Sequence, residues 1–188
     1  MYKSIVNCQK CLLYKNQKPL IDKIVPADIM IVGLSAKIKK YEKEIPLDGR
    51  TRSGKIIDEF QKIAHRYNFS VYRTNIVKCV PLNEQKRIIY PNELELQSCF
   101  KNFVAEVKLV DPTIIILLGN IVRETVSQQL KIILDNPTEN NLPMTRIKNR
   151  FIISSYHPAF LLRSKRRREM CYYMLNERIV QIKEKSYE

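Results

Sequence analysis

Four short apolar runs, each followed by a stretch with helical or loop character, constrain this chain more than any other feature. "DIMIVG" (28–33) ends in glycine, "VYRTNIVKC" (71–79) is rich in β-branched and aromatic residues, "TIIILLG" (113–119) is almost purely aliphatic, and "RFIISSYH" (150–157) completes the set. Runs this short and this apolar suit strands buried on both faces. Between them, Ile56, Phe60, Ile63 and Tyr67 share one helical face, in a segment expected to start at an N-cap, Ser53. Leu96, Phe100, Phe103, Val107 and Val110 mark a second helix that must stop before Pro112. Residues 120–134 supply a third, a polar loop with Pro137 and Pro143 follows, and Cys171, Leu175, Ile179 and Ile182 form the stripe of a closing helix from about Ser164. Strands alternating with helices predict a three-layer α/β/α sandwich on a central four-stranded parallel sheet, with residues 1–188 as a single domain. Ligands of such folds bind at the carboxyl ends of the strands, here Gly33, residues 75–79, Gly119 and residues 156–158.

With 188 residues and 45% hydrophobic side chains the chain can bury a sizeable core, and no repeat recurs at a period of 20 to 50. Its longest apolar runs fall far short of the roughly 20 residues a membrane span needs, and its N-terminus lacks a secretory apolar core, so a cytoplasmic protein without membrane contact is expected. Lys and Arg outnumber Asp and Glu by 33 to 19, a formal charge of +14, which favours a polyanionic partner such as nucleic acid. Five cysteines in a reducing compartment argue for metal binding, catalysis or burial rather than disulfides.

Cys8 and Cys11 form a C-x2-C pair near the N-terminus, leaving Cys79, Cys99 and Cys171 to complete a site. Cys171 lies in the apolar stripe of the last helix and reads as a small buried hydrophobe. Cys79 ends the second strand and Cys99 lies beside, not within, the stripe from Leu96 to Val110. A tetrathiolate assembled this way suits zinc or an iron–sulfur cluster, and spacing does not choose between them.

The order "CQKCLLYKN", "ADIMIVG", "YRTNIVKCVPLNE", "CFKNFVAEVKLVDPTIIILLG" and "SSYHPAFLLR" resembles the iron–sulfur (family 4) class of the uracil-DNA glycosylase superfamily over nearly the whole chain. The resemblance implies a 4Fe-4S cluster on Cys8, Cys11, Cys79 and Cys99, with a structural rather than redox role. It implies a DNA partner, single- or double-stranded, and an enzyme that flips uracil or a related deaminated base and hydrolyses its N-glycosidic bond. His157 matches the catalytic histidine, a hydrogen-bond donor for charge developing on the leaving base. Asn75 would read the base, because one amide can donate to O4 and accept from N3–H of uracil while cytosine presents the opposite pattern. Gly33, Ser35 and Leu47 are expected around that base. Pro158, Leu161, Leu162 and Arg163 fall where the family inserts a loop into the minor groove, with a leucine as wedge and Arg163 on phosphate. In the "RSKRRRE" run, Lys165, Arg166 and Arg167 crowd cations at a helix start, against the helix dipole, an arrangement that an anion relieves. Ser53 offers a second phosphate-binding helix start.

The chain departs from the family after its first strand, where "GLSAK" (33–37) replaces G-E-A-P-G. Leu34 stands in place of the acid and Leu47 in place of a stacking phenylalanine. Asp48, in the loop that follows, is the carboxylate expected to substitute, with Ser35 able to hold a water or a phosphate. The alternative is a catalytically weak or inactive relative that binds DNA or a repair or replication partner, and a zinc-stabilised nucleic-acid-binding protein is a further one. A monomer is expected.

Overall fold

The structure, a computed structural model, describes residues 2–185. The N-terminal segment forms a short helix α1 (Tyr2–Val6) and a 3-10 turn (Leu12–Lys15). Then follow β1 (Ile29–Ser35), α2 (Arg52–His65), β2 (Val71–Val77), α3 (Glu93–Val110), β3 (Ile114–Leu118), α4 (Asn120–Leu130), β4 (Met144–Ile147), β5 (Arg150–Ser155), α5 (Pro158–Leu161) and α6 (Lys165–Lys185). The sheet runs β2-β1-β3-β5-β4, with β2, β1, β3 and β5 parallel and β4 antiparallel at the edge.

Side-chain alternation along each strand divides the interior into two layers. Ile29, Ile31, Ile114, Ile116, Leu118 and Ile153 face Ile56, Ile57, Phe60 and Ile63 of α2 and Leu175, Ile179 and Ile182 of α6. Met30, Val32, Ile115, Leu117 and Ile152 face Phe100, Phe103 and Val110 of α3 and Val122 and Val126 of α4. The α/β/α architecture is therefore as the apolar runs indicate. The sheet has five strands rather than four: Met144–Ile147, expected within a loop, pairs back onto β5 through a two-residue turn with Lys148 at φ 55°. Lys-Asn is not the Asn-Gly or Asp-Gly signal that marks such a hairpin. The start of α2 also shifts: Thr51 is its N-cap, accepting from the Gly54 N–H at 2.9 Å, and Ser53 lies inside the helix. At α3, Asn92 and Glu95 form a reciprocal capping box, and Asp111 ends the helix at φ 50° before Pro112.

Register aligns the strand ends that matter. Gly33 pairs with Asn75, Val32 with Leu117, and Leu118 with Ser155. The chain leaves β1 for β2 on one side and later returns to β3 on the other, so a crevice opens between the carboxyl ends of β1 and β3.

Candidate active site

A cavity of about 660 Å³ occupies that crevice, lined among others by Gly33, Leu34 and Ser35 from β1, Asn75 from β2, Leu118 from β3, and His157 and Pro158 after β5. Leu47, Thr51, Ser53 and Gly54 close it from the α2 side. Asn75 is only 3% exposed, and its side-chain amide has no hydrogen-bond partner among the described residues. It packs onto the bare face of Gly33 so closely that a Cβ there would lie 2.3 Å from Asn75 Oδ1 and 3.0 Å from Leu47 Cδ2. Leu47 sits at φ 57°, a conformation unusual for a branched side chain, and its carbonyl accepts from Arg73 Nη1 at 3.1 Å. Arg73 in turn is held by Asp58 at 2.8 Å and by Gln61.

Beneath Asn75 lies a buried polar network. Lys78 and Glu106 are both wholly buried and ion-paired. Glu106 also accepts from the Tyr72 hydroxyl at 2.7 Å and the Thr74 hydroxyl at 2.8 Å, while Lys78 Nζ donates to the Asn75 carbonyl. The backbone that presents the Asn75 amide is thus anchored from below by a fixed charge pair.

His157 caps the short α5. Its Nδ1 accepts the Ala159 N–H at 3.2 Å, which leaves the ring proton of the neutral imidazole on Nε2 as a donor. The ring remains accessible, yet the surrounding protein removes enough water to lower its pKa from the usual value. Gly119, at φ 91°, passes His157 so closely that a Cβ would lie 2.9 Å from the histidine Cβ.

No acidic side chain lines the cavity among the described residues. Asp48 does not reach it: the carboxylate is buried and clasped by Arg50 through Nε at 2.9 Å and Nη2 at 2.5 Å, with the Arg50 N–H at 2.8 Å. The Arg50 bonds hold its pKa well below the carboxylate range. Leu161 is likewise misplaced for a wedge, being 0% exposed within the core, and Leu162 packs half-buried against that core. The exposed apolar side chain of this segment is Phe160, covered on one side by the Arg167 guanidinium 4.4 Å from the ring centre. Arg163, Lys165 and Arg166 are exposed, and α6 has no acid in its first turn. Among the cavity residues that escape sequence reasoning, two stand out. Lys37, whose pKa burial lowers, follows β1 directly, and Tyr90 ends the apolar triplet "IIY" just before Pro91, a signal that a polar loop does not otherwise carry.

Cys79, just past the carboxyl end of β2, and Cys99 on α3 lie within electrostatic reach of Cys8 and Cys11. Cys79 and Cys99 are buried, Cys8 and Cys11 half-buried. Burial, reinforced by neighbouring Cys99, Cys11 and Cys8, pushes the Cys79 thiol up to about 12. Asn102 Nδ2 donates to Cys8 Sγ at 3.1 Å and the Lys78 N–H to Cys99 Sγ at 3.4 Å, contacts that stabilise thiolate sulfur. Among the described residues no three His, Cys, Asp or Glu side chains converge closely enough to hold a metal ion. The N-terminal segment is docked by backbone as well, Leu20 N–H to Lys78 O at 2.7 Å and Asn16 Nδ2 to Val80 O at 3.0 Å. Cys171 is buried in the core beside Ser155.

A doubly covered, mostly parallel sheet brings Asn75 of β2 and His157 after β5 to one cavity across its strand ends. A sequence profile of the uracil DNA glycosylase superfamily matches residues 23–178, and the chain belongs to that superfamily. Curated proteins to which it is similar include the type-4 uracil-DNA glycosylases of Thermotoga maritima, 23% identical over 86% of this chain and 81% of the relative, and of Archaeoglobus fulgidus, 23% identical over 85% and 80%. That of Pyrobaculum aerophilum is 28% identical over 63% of this chain, and the match spans 59% of its length, under two thirds. No helix among the described residues is long and apolar enough to cross a membrane.

Proposed function

We propose that this protein is a DNA glycosylase that flips uracil, or a related deaminated base, into the cavity and hydrolyses its N-glycosidic bond. The observation that carries the reading is the Asn75 amide, packed against Gly33 and open to the cavity that His157 also lines. A ligand in the cavity can satisfy both the donor and the acceptor of that amide. Uracil does so with O4 and N3–H. As the bond from C1′ to N1 breaks, the electron pair passes into the base, and His157 Nε2–H donates to O2 while negative charge grows there. Water adds at C1′ and releases its proton, so the products are free uracil and an abasic sugar. With Leu34 on the cavity wall, no carboxylate orients that water; Ser35 is the nearest hydroxyl on β1 able to do so.

Cys8, Cys11, Cys79 and Cys99 would hold a 4Fe-4S cluster. Zinc is the alternative, since a tetrathiolate suits either group. Such a cluster supplies cross-linking of the N-terminal segment to β2 and α3. DNA phosphates would meet Arg163, Lys165 and Arg166, with Ser53 at the opposite rim of the cavity; the protein would act as a soluble monomer of one domain. The lack of any lining carboxylate favours one second reading, a relative that binds DNA without cleaving it.

The test is excision from single-stranded and duplex oligonucleotides containing uracil, with protein in excess and His157→Ala alongside. Abasic product that falls at least about 100-fold in the variant supports the glycosylase, removal of one such donor costing about 10²–10³. Binding without product from cluster-loaded protein supports the second reading.

A further inference from the structure

A second cavity, of about 400 Å³, opens beside the first, and Tyr90 and His157 line both. Its other walls include the aromatic rings of Tyr156 and Phe160, stacked on each other at 5.4 Å and 29°, and the side chains of Asn120 and Asn136. Neither amide has a hydrogen-bond partner among the described residues. Tyr90 is 73% exposed and makes no ring contact there, and its neighbours Ile88 and Ile89 are exposed too. They sit on a narrow loop closed by the Leu82–Ile88 bridge and by Asn83, whose N–H donates to Arg87 O at 3.0 Å. Three exposed apolar side chains in a row, turned to a cavity on a chain of charge +14, mark a ligand surface rather than ordinary solvent exposure.

We infer that the second cavity takes an unpaired nucleobase, that of the nucleotide next to the flipped one, with Tyr90 stacked between the two bases. This rests on the first cavity holding a flipped base. Aromatic faces give affinity without sequence preference, the free asparagine amides meet whichever base edge is presented, and the adjacent cations, Arg167 against Phe160 and the exposed Arg166 beyond, follow the backbone. A base held there cannot remain in a duplex stack, so the preferred substrate is single-stranded or locally unpaired DNA.

Equilibrium anisotropy with short single strands tests this without any cleavage. Each strand carries a central non-hydrolysable 2′-fluoro-deoxyuridine, with the flanking nucleotide on either side left intact or replaced by a tetrahydrofuran abasic residue. Removal of the base on one side is expected to weaken binding by roughly 5- to 150-fold. Tyr90→Ala abolishes that sensitivity, Tyr90→Phe keeps it, and both melt like the wild type because the side chain is exposed. Wild-type affinity indifferent to both flanks, or sensitivity that survives Tyr90→Ala, overturns the inference. Replacing the central uracil by thymine separates the two claims: indifference to that change with a retained flank effect defeats uracil reading and leaves the second subsite standing.

Discussion

Gly33→Ala is the most informative single change. Gly33 does not need a left-handed backbone, since its φ lies outside the positive range, so alanine is conformationally acceptable and the effect is confined to the added methyl. That methyl would stand 2.3 Å from Asn75 Oδ1, well inside contact distance, with Leu47 Cδ2 at 3.0 Å closing the other direction. The Asn75 backbone cannot yield, because Lys78 grips its carbonyl and is itself fixed by Glu106. The amide must therefore rotate, and both of the bonds proposed between it and uracil would be lost. Two lost hydrogen bonds with the base's polar edge left unsatisfied cost roughly 2–4 kcal/mol, or roughly 30- to 900-fold in rate at about 1.36 kcal/mol per decade. Single-turnover excision on a uracil strand measures it. Because the methyl acts through Asn75, the double variant Gly33→Ala/Asn75→Ala should be no slower than Asn75→Ala alone. Excision by Gly33→Ala within threefold of the wild type, or full additivity in the cycle, would refute the argument.

Three further outcomes are expected. Glu106→Leu strands the Lys78 ammonium in the interior and should cost about 3–5 kcal/mol, much of which returns in Lys78→Met/Glu106→Leu, where no charge is buried; urea melts of the two variants measure the difference. Because burial lowers the His157 pKa, the neutral donor persists below pH 6.5. Protonating Nδ1 would break its bond from Ala159, so excision should hold through pH 6.5 and fall only as pH drops through the depressed pKa, and the stability from this group is complete above about 6.5 and lost on acidification below it; pH–rate profiles and imidazole NMR titration report both. Cys99→Ser should remove the brown colour and visible absorption of the purified protein and lower its melting temperature, whereas Cys171→Ser should leave the colour intact.

What could be read in advance follows from where information sits in the chain. β1 and β3 announce themselves because a strand buried on both faces tends to be apolar at every position, as Ile29–Val32 and Ile114–Leu118 are, whereas β2 and β5 carry buried Arg73, Thr74, Asn75, Ser154 and Ser155 and show through their β-branched and aromatic neighbours. β4 is half-buried on an edge, carries Thr145 and Arg146, and turns through Lys-Asn, so neither composition nor turn chemistry separates it from a loop. Short motifs fix the type and order of Asn75, His157 and the cysteines, and the fold brings Asn75 and His157 to one cavity. The placements of Asp48 and Leu161 were not legible, since each depends on a contact that no motif encodes: Arg50 two residues on closes over the carboxylate, and the one-turn helix α5 rotates Leu161 into the core while leaving Phe160 outside. Tyr90 was missed for the opposite reason. A loop aromatic has no periodicity to betray it, and only the fold brings it to the boundary between two cavities. The same fold puts Leu34 on that boundary where an acid would have served the chemistry, so the wall has become more apolar just where an exposed tyrosine adds a stacking face. If the proposed base sites hold, a site altered in this direction would grip bases through their faces while orienting water less well, shifting its balance toward holding unpaired DNA and away from rapid turnover.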